Sequence, residues 1–166
     1  RGLSKPEGRL QARAFVVEGD EIVAQALAAS GPPQTVLLSD ALPPARSAEL
    51  AELAANRGVN CRRISRGLLT KLTGAGYETA VEALAVVPRV PVGLEELDLT
   101  GEALVLVCER IQDPRNVGVL IRTADALGLR GVIFTADSAD PYSRAAVRST
   151  TGSILRVPLV LAEDIR

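Results

Sequence analysis

The part of this chain that most constrains its fold is an apolar run followed by a turn and a helical pattern. The run ALVLVC at 103–108 is typical of a fully buried strand. In the following segment, 109–128, Asp113-Pro114 indicates a turn, and Asn116 stands where a helix N-cap is expected. A helix that begins at the carboxyl end of a parallel strand is where open α/β sheets place their chemistry. The segment therefore predicts an α/β fold and marks a candidate site.

The helix predicted over 115–128 combines an apolar face with a cation in its second turn. Gly118 leaves its first turn open to the close approach of a ligand backbone or another loop. Arg122 lies one helical turn further along. The apolar residues expected near one face are Val119, Leu120, Ala124 and Leu127.

Strands and helices alternate along the rest of the chain. Strands are predicted at 14–17, 35–38, 59–64, 79–87, 131–134 and 154–160, and helices at 19–29, 45–57, 66–72 and 143–150. This order predicts a parallel sheet with right-handed crossovers. The segment PRVPVGLEELDLT, at 88–100, is rich in proline and predicts a linker over 89–100 between a domain at 1–88 and one at 101–166.

Two motif blocks in the second half carry a family resemblance. The pattern N-x-G-x-x-x-R-S/T-A-x-x-x-G is met by Asn116, Gly118, Arg122, Thr123, Ala124 and Gly128. A second block contains ADPYS at 139–143, AVRSTTGS at 146–153 and RVP at 156–158. Together they resemble the SpoU (TrmH-like) RNA ribose 2′-O-methyltransferases of the knotted SPOUT superfamily. The run GRLQARAFVVEG at 8–19 is similar to the start of that family's accessory substrate-binding domain.

The resemblance implies a small N-terminal α/β RNA-binding domain followed by the first half of a parallel-sheet SPOUT (α/β knot) methyltransferase domain. Two further family motifs, an N-E-G-x-G-L loop and an S-L-N segment, do not occur in this sequence. They form most of the S-adenosylmethionine pocket in the family, so we expect cofactor-binding residues beyond residue 166. The chain is therefore expected to be a fragment that is inactive alone and binds S-adenosylmethionine very weakly.

The function implied by the resemblance is methylation of a ribose 2′-hydroxyl in RNA, with S-adenosylmethionine as donor and a homodimer as the active form. Ribosomal RNA is favoured over tRNA, because accessory domains of this kind occur mainly in rRNA-directed members. The alternative is a non-catalytic RNA-binding module derived from such an enzyme. A classical Rossmann nucleotide binder is disfavoured, because no G-x-G-x-x-G follows a predicted strand.

Arg122 and Asn116 are the candidate catalytic residues. The sequence contains no histidine, which excludes a histidine base. A well-placed arginine can orient the hydroxyl and stabilise the developing oxyanion. Its pKa, above about 12, makes a protein arginine a poor base, so we expect electrostatic assistance.

The candidate RNA contacts lie in both halves of the chain. Arg62, Arg63 and Arg66 belong to a run between Leu53 and Tyr77 that contains no acidic residue. A solvated basic face is the alternative explanation of this run. In the second half, Arg148 and Ser149 are candidates for a phosphate contact at a helix terminus.

Composition narrows the remaining possibilities. The formal net charge is −1, so the whole chain gives no electrostatic case for nucleic acid, and aromatics at 2% disfavour base stacking as the main mode of RNA capture. Cys61 and Cys108 are isolated and expected to be buried and reduced, and no metal site is expected. No run of membrane-spanning length is present, and a cytoplasmic protein is expected.

Overall fold

The computed structural model describes residues 2–74, 81–90 and 92–163. The chain forms two compact units, divided between Pro88 and Arg89. The helices of the first unit are α1 (Pro6–Ala12), α2 (Asp20–Ala28), α3 (Pro44–Asn56) and α4 (Arg66–Thr73), and its strands are β1 (Ala14–Glu18), β2 (Thr35–Ser39), β3 (Asn60–Ile64) and β4 (Ala83–Pro88). In the described part of the chain, no helix is both long and apolar enough to cross a bilayer.

The sheet of the first unit is mixed, with strand order β1-β4-β2-β3. Only β2 and β3 pair in parallel, whereas β4 is antiparallel to both β1 and β2. The predicted parallel sheet is therefore wrong for this unit. The apolar β4 sequence, ALAVVP, suits either direction, because direction depends on the connection that precedes the strand. The strand predicted at 79–87 begins at Ala83, and its first two positions lie outside the described residues.

The core of the first unit is aliphatic. Val17 of β1, Val23 and Leu27 of α2, Leu38 of β2 and Leu50 of α3 are almost fully buried. Burial of such a side chain stabilises a fold by about 1.5–3 kcal/mol. The helical spacing of α2 and α3 and the strand alternation therefore place one apolar layer between the sheet and its helices.

The second unit contains a fully parallel sheet. Its strands are β5 (Val105–Cys108), β6 (Gly131–Thr135) and β7 (Leu159–Ala162), in the order β5-β6-β7, and its helices are α5 (Pro114–Ala126) and α6 (Arg144–Ser149). The prediction of a parallel sheet is confirmed here. All residues of the central strand β6 are buried.

Two strand predictions in the second unit are wrong in detail. The run at 103–108 was expected to be fully buried, but β5 is an edge strand, and Val107 is 49% exposed. The strand predicted from 154 begins at Leu159, because Ser153–Leu155 forms a 3-10 turn. An apolar run alone does not distinguish a central strand from an edge strand or a buried turn.

The segment 89–100, predicted as a linker, contributes to the core of the second unit. Leu97 is buried together with Ile133 of β6 and Val160 of β7, and Val92 packs against the same cluster. A 3-10 turn at Leu94–Glu96 precedes Leu97. The segment therefore covers part of one face of the parallel sheet.

Candidate active site

The N-cap of helix α5 is Asp113, not Asn116. The Asp113 side chain accepts a hydrogen bond from the Arg115 backbone N–H at 2.8 Å, and Pro114 occupies the first helical position. Proline suits that position because the first N–H groups of a helix have no partner within it. The prediction that Asn116 is the N-cap is therefore wrong. Asn116 is the third helical residue and is exposed.

The start of α5 is further fixed by an ion pair. The Arg115 guanidinium donates to both carboxylate oxygens of Asp113, at 3.2 and 3.0 Å. These bonds to Arg115 hold the pKa of Asp113 below its usual range. The first turn of the helix is therefore capped by a carboxylate that stays charged at neutral pH.

The buried face of α5 includes Ala124 of the predicted set but not Val119 or Leu127. Val117, Ile121 and Ala124 are completely buried, whereas Val119 and Leu127 are exposed. The predicted set is rotated around the helix relative to the true buried face, because both faces of this helix carry apolar residues. Val119 and Leu127 are thus available on the surface.

Gly118 allows α6 to pack directly on α5. A Cβ atom at Gly118 would lie 2.3 Å from the backbone oxygen of Ala146 and 2.5 Å from Cβ of Ser149. The close approach predicted at this glycine occurs, and the group that approaches is the backbone of α6. The two motif blocks are therefore joined by a helix crossing that only glycine permits.

Arg122 lies on the flank of α5 that faces α6 and the 3-10 turn after it. Gly118 is four positions earlier and meets α6, and Asp125 is three positions later and binds Arg156 at the end of that turn. Residues at these spacings share one side of a helix. Arg122 is exposed and makes no hydrogen bond or ion pair with any residue that the structure describes.

The structure does not join the two candidate catalytic residues directly. Asn116 and Arg122 are six positions apart on α5, with an offset of about 9 Å along the axis at about 1.5 Å per residue. Arg122 and Ser149 come from two helices that pack together at Gly118, so they belong to one surface region. The Ser149 hydroxyl donates to the Ala145 carbonyl at 3.0 Å, and Arg148 is exposed beside it.

A polar network at the carboxyl ends of β5 and β6 positions the loop that leads into α5. The Thr135 hydroxyl accepts from the Arg110 N–H at 3.0 Å and donates to Asp137 at 2.5 Å. The Ser138 hydroxyl accepts from the Ile111 N–H at 3.1 Å. This network was not predicted from the sequence, although the polar run TADS at 135–138 is a signal for it.

The DPYS segment forms the turn that starts α6. The Asp140 side chain accepts from the Tyr142 N–H at 2.8 Å, and Ser143 is the N-cap of α6. The Tyr142 ring is buried beneath the Arg89 guanidinium, whose central carbon is 4.5 Å from the ring centroid. Burial raises the pKa of Tyr142. Asp140, Tyr142 and Ser143 of this motif therefore stabilise the turn and the start of α6.

The arginines predicted to contact RNA in the first unit lie at the junction of β3 and α4. Arg62 and Arg63 are exposed on the edge strand β3, and Arg66 is the first residue of α4 and also exposed. The Arg66 N–H donates to Asp40 at 2.9 Å, and Ser65 caps the helix by accepting from the Leu68 N–H at 3.3 Å. Three cations thus stand on one short surface segment.

The parallel sheet, with a motif helix following its first strand, defines the second unit as a SPOUT-type α/β domain. Residues 103–166 match the model of the SpoU rRNA methylase family. A 23S rRNA guanosine 2′-O-methyltransferase of Bacillus subtilis is 28% identical over 95% of this chain and 58% of its own length. A 23S rRNA uridine 2′-O-methyltransferase of Streptomyces viridochromogenes is 32% identical over 95% of this chain and 54% of its own length.

Solved structures extend the similarity to both units. The SpoU methyltransferase AviRb of Streptomyces viridochromogenes, solved with its cofactor AdoMet, is 27% identical with a TM-score of 0.83, and the match covers 99% of this chain and 60% of AviRb. An AdoMet-bound rRNA methyltransferase of Sinorhizobium meliloti, at 24% identity and a TM-score of 0.85, shares the fold over 97% of this chain and 59% of its own. The chain spans about half the length of the curated relatives it matches.

Proposed function

We propose that this chain is part of an enzyme that methylates a ribose 2′-hydroxyl in RNA, with S-adenosylmethionine as methyl donor and ribosomal RNA as substrate. The observation that carries the proposal is the exposed Arg122 on α5, without a partner among the described residues, in a unit that matches the model of the SpoU family. The names of the relatives specify 23S rRNA, which supports ribosomal RNA over tRNA.

Arg122 would act on the RNA by charge. A guanidinium that no protein carboxylate neutralises can bind a backbone phosphate and stabilise negative charge on the ribose oxygen. Its high pKa disfavours a role as base. Asn116, exposed near the start of the same helix, would contact the substrate through its side-chain amide.

The donor supplies an activated methyl group, and we assign none of the described residues to its pocket. At the carboxyl ends of β5 and β6, the side chains of Thr135 and Asp137 bind each other and Arg110. These groups are satisfied within the protein and do not form a cofactor cradle by themselves. The resemblance instead assigns the pocket to motifs absent from this sequence.

RNA binding would involve both units. Arg62, Arg63 and Arg66 would hold RNA phosphates at the β3–α4 junction, and Arg148 with Ser149 would do so beside Arg122. Ser149 ends α6, and the carboxyl end of a helix presents carbonyl oxygens. The positive charge for a phosphate would therefore come from the Arg148 side chain.

The proposal includes a homodimer in the cytoplasm, where ribosomal RNA is modified. Exposed Val119 and Leu127 on α5, together with Val107 on the edge strand β5, support an interface on the second unit.

The decisive test is methyl transfer to ribosomal RNA by the full-length protein. Arg122→Ala should lower the rate by more than roughly 100-fold, the effect expected for loss of a group that stabilises transition-state charge. Arg130→Ala, at another exposed arginine of the second unit, is the matched control. Normal turnover by a folded Arg122→Ala protein would contradict the assignment.

RNA binding by the first unit is tested separately. The double charge reversal Arg62→Glu/Arg63→Glu should weaken RNA binding and reduce the slope of log affinity against log salt by about 2, one for each lost phosphate contact. The double variant Lys5→Glu/Arg13→Glu changes the net charge equally at two other exposed positions. Equal weakening by both variants would mean that only overall charge matters. RNA binding without any methyl transfer would favour the non-catalytic alternative.

A further inference from the structure

Helix α5 carries an acid next to its candidate catalytic cation. Asp125 is three positions after Arg122, a spacing at which opposite charges on a helix attract each other. In the structure Asp125 does not use that neighbour. It accepts hydrogen bonds from Arg156: Nε donates to Oδ1 at 3.4 Å and to Oδ2 at 3.1 Å, and Nη2 donates to Oδ2 at 2.5 Å.

We propose that Arg156 is a positioning residue that keeps Arg122 free to act on RNA by occupying Asp125. The inference rests on the role of Arg122 in the proposed function. Without Arg156, the Asp125 carboxylate would be left on the same helix flank as Arg122, and the two would pair. The guanidinium would then be neutralised and turned away from its substrate.

The geometry favours Arg156 as the stronger partner of Asp125. Two N–H groups of the planar Arg156 guanidinium, on Nε and Nη2, converge on Oδ2 of Asp125, and Nε also reaches Oδ1. Arg156 directly follows the 3-10 turn Ser153–Leu155, so its backbone is held beside α5. The Asp125 side chain is 24% exposed, which protects the pair from water more than an open surface pair.

Further contacts hold the Asp125 carboxylate in its charged form. The bonds to Arg156 hold the pKa of Asp125 below its usual range, and a hydrogen bond from Ser153 acts in the same direction. Asp125 is therefore an anion at neutral pH. An anion that loses its partner attracts a nearby cation, and Arg122, three positions earlier on α5, is free among the described residues.

One other arginine could compete for Asp125. Arg130 lines a groove of about 520 Å³. Asp98, Asp125 and Arg156 line the same groove. Arg130 lies 3.9 Å from Asp98, which engages it in a longer ion pair. The helical spacing to Arg122 is fixed by α5 itself, so Arg122 is the partner that the proposal selects.

The test compares three variants of the full-length protein: Arg156→Ala, Asp125→Asn and Asp125→Asn/Arg156→Ala. Methyl transfer to ribosomal RNA and thermal unfolding are measured for each. We expect Arg156→Ala to lower kcat about three- to tenfold, the range expected when a partly buried ion pair traps a needed cation. The double variant should be more active than Arg156→Ala, because the carboxylate that traps Arg122 is gone.

The pair of single variants separates positioning from stability. Both lose the same ion pair, so a purely structural role predicts similar unfolding temperatures and similar activities. The proposal predicts similar unfolding temperatures with Asp125→Asn the more active of the two. Equal loss of activity in all three variants would overturn it.

Arg122→Ala is measured in parallel. If Arg122→Ala is fully active, the proposed function of Arg122 fails. If Arg122→Ala is inactive but Arg156→Ala has normal kcat, the positioning role alone is wrong. Arg130→Ala reports whether loss of any cation from the groove has the same effect.

Discussion

The two units differ in how completely each covers its own apolar side chains. In the first unit, the described large hydrophobic residues that remain exposed are Leu10, Leu68 and Leu72. The corresponding set in the second unit, of similar length, is larger: Val90, Leu94, Leu99, Leu104, Val107, Val119, Leu127 and Leu161. Several of these stand on the edge strands β5 and β7 or on α5, beside the candidate site. The second unit thus leaves more large apolar side chains on its surface than the first unit does.

Two helical glycines, one from each unit, differ in the space around their Cβ positions. Gly118 of α5 has the α6 backbone where its Cβ would be, whereas nothing lies within 4 Å of the Cβ position of Gly67 in α4. A side chain larger than hydrogen is therefore poorly tolerated at Gly118, where the two motif blocks of the second unit meet. Its outer surface, in contrast, remains open.

Among the substitutions that test this contrast, Gly118→Ala is expected to cause the largest loss of stability. The new methyl group meets backbone atoms that cannot move independently, so α5 and α6 must separate, at about 1–3 kcal/mol or more. Gly67→Ala is the matched control and should be neutral or stabilising by up to about 1 kcal/mol, the helix propensity gain. Thermal unfolding and hydrogen exchange at α5 and α6 measure both variants. Similar stabilities for the two would show that the helix crossing is not tight.

A second prediction concerns the open surface of the second unit. The chain of residues 1–166 should self-associate through exposed apolar residues at the sheet edges. Val107→Lys/Leu161→Lys should weaken that association roughly tenfold or more, because each apolar side chain loses burial in the interface. Sedimentation velocity at several concentrations measures it, and Leu68→Lys in the first unit is the control. If the chain is a monomer at every concentration, the exposed apolar residues of the second unit do not drive self-association.

Sequence patterns located most elements because their signals are local. Helix α5 lies within two residues of its predicted bounds, and strands β2 and β6 match closely, since caps, turns and apolar runs decide them. The direction of β4 and the exposure of β5 depend instead on the path of the connecting segments and on which neighbours a strand has. The sequence pattern of one segment contains no information about the path of the connections or about the neighbouring strands.

The candidate site follows the same division. The motif identified Arg122, and the structure adds that its guanidinium has no partner among the described residues. The reason for its freedom, the pairing of Asp125 with Arg156, joins residues 31 positions apart and leaves no periodic signal. The bridge from Thr135 to the Arg110 N–H spans 25 positions and was missed for the same reason. Asn116 was placed at the cap because the Asp113-Pro114 turn was not considered as the helix start.

The smallest expected effect concerns one ion pair of the second unit, between Asp125 and Arg156, and its dependence on pH. The folded-state pKa of Asp125 lies below its usual value of about 3.9, so its pair with Arg156 stabilises the fold above that pH. This contribution is lost as pH falls through the folded-state pKa. Since Arg156 is half exposed, solvent screening limits the pair to at most about 1 kcal/mol.

Urea unfolding of the wild type and Asp125→Asn at pH 7 and pH 3 measures this contribution. The wild type should be the more stable at pH 7, and the difference should shrink at pH 3, where proton uptake by the unfolded-state Asp125 carboxylate favours unfolding. Asp98, Asp113 and Asp137 also have a pKa below the usual range and titrate in both proteins, so the comparison isolates Asp125. A stability difference that is independent of pH would mean that shape and hydrogen bonding, not charge, join Asp125 to Arg156.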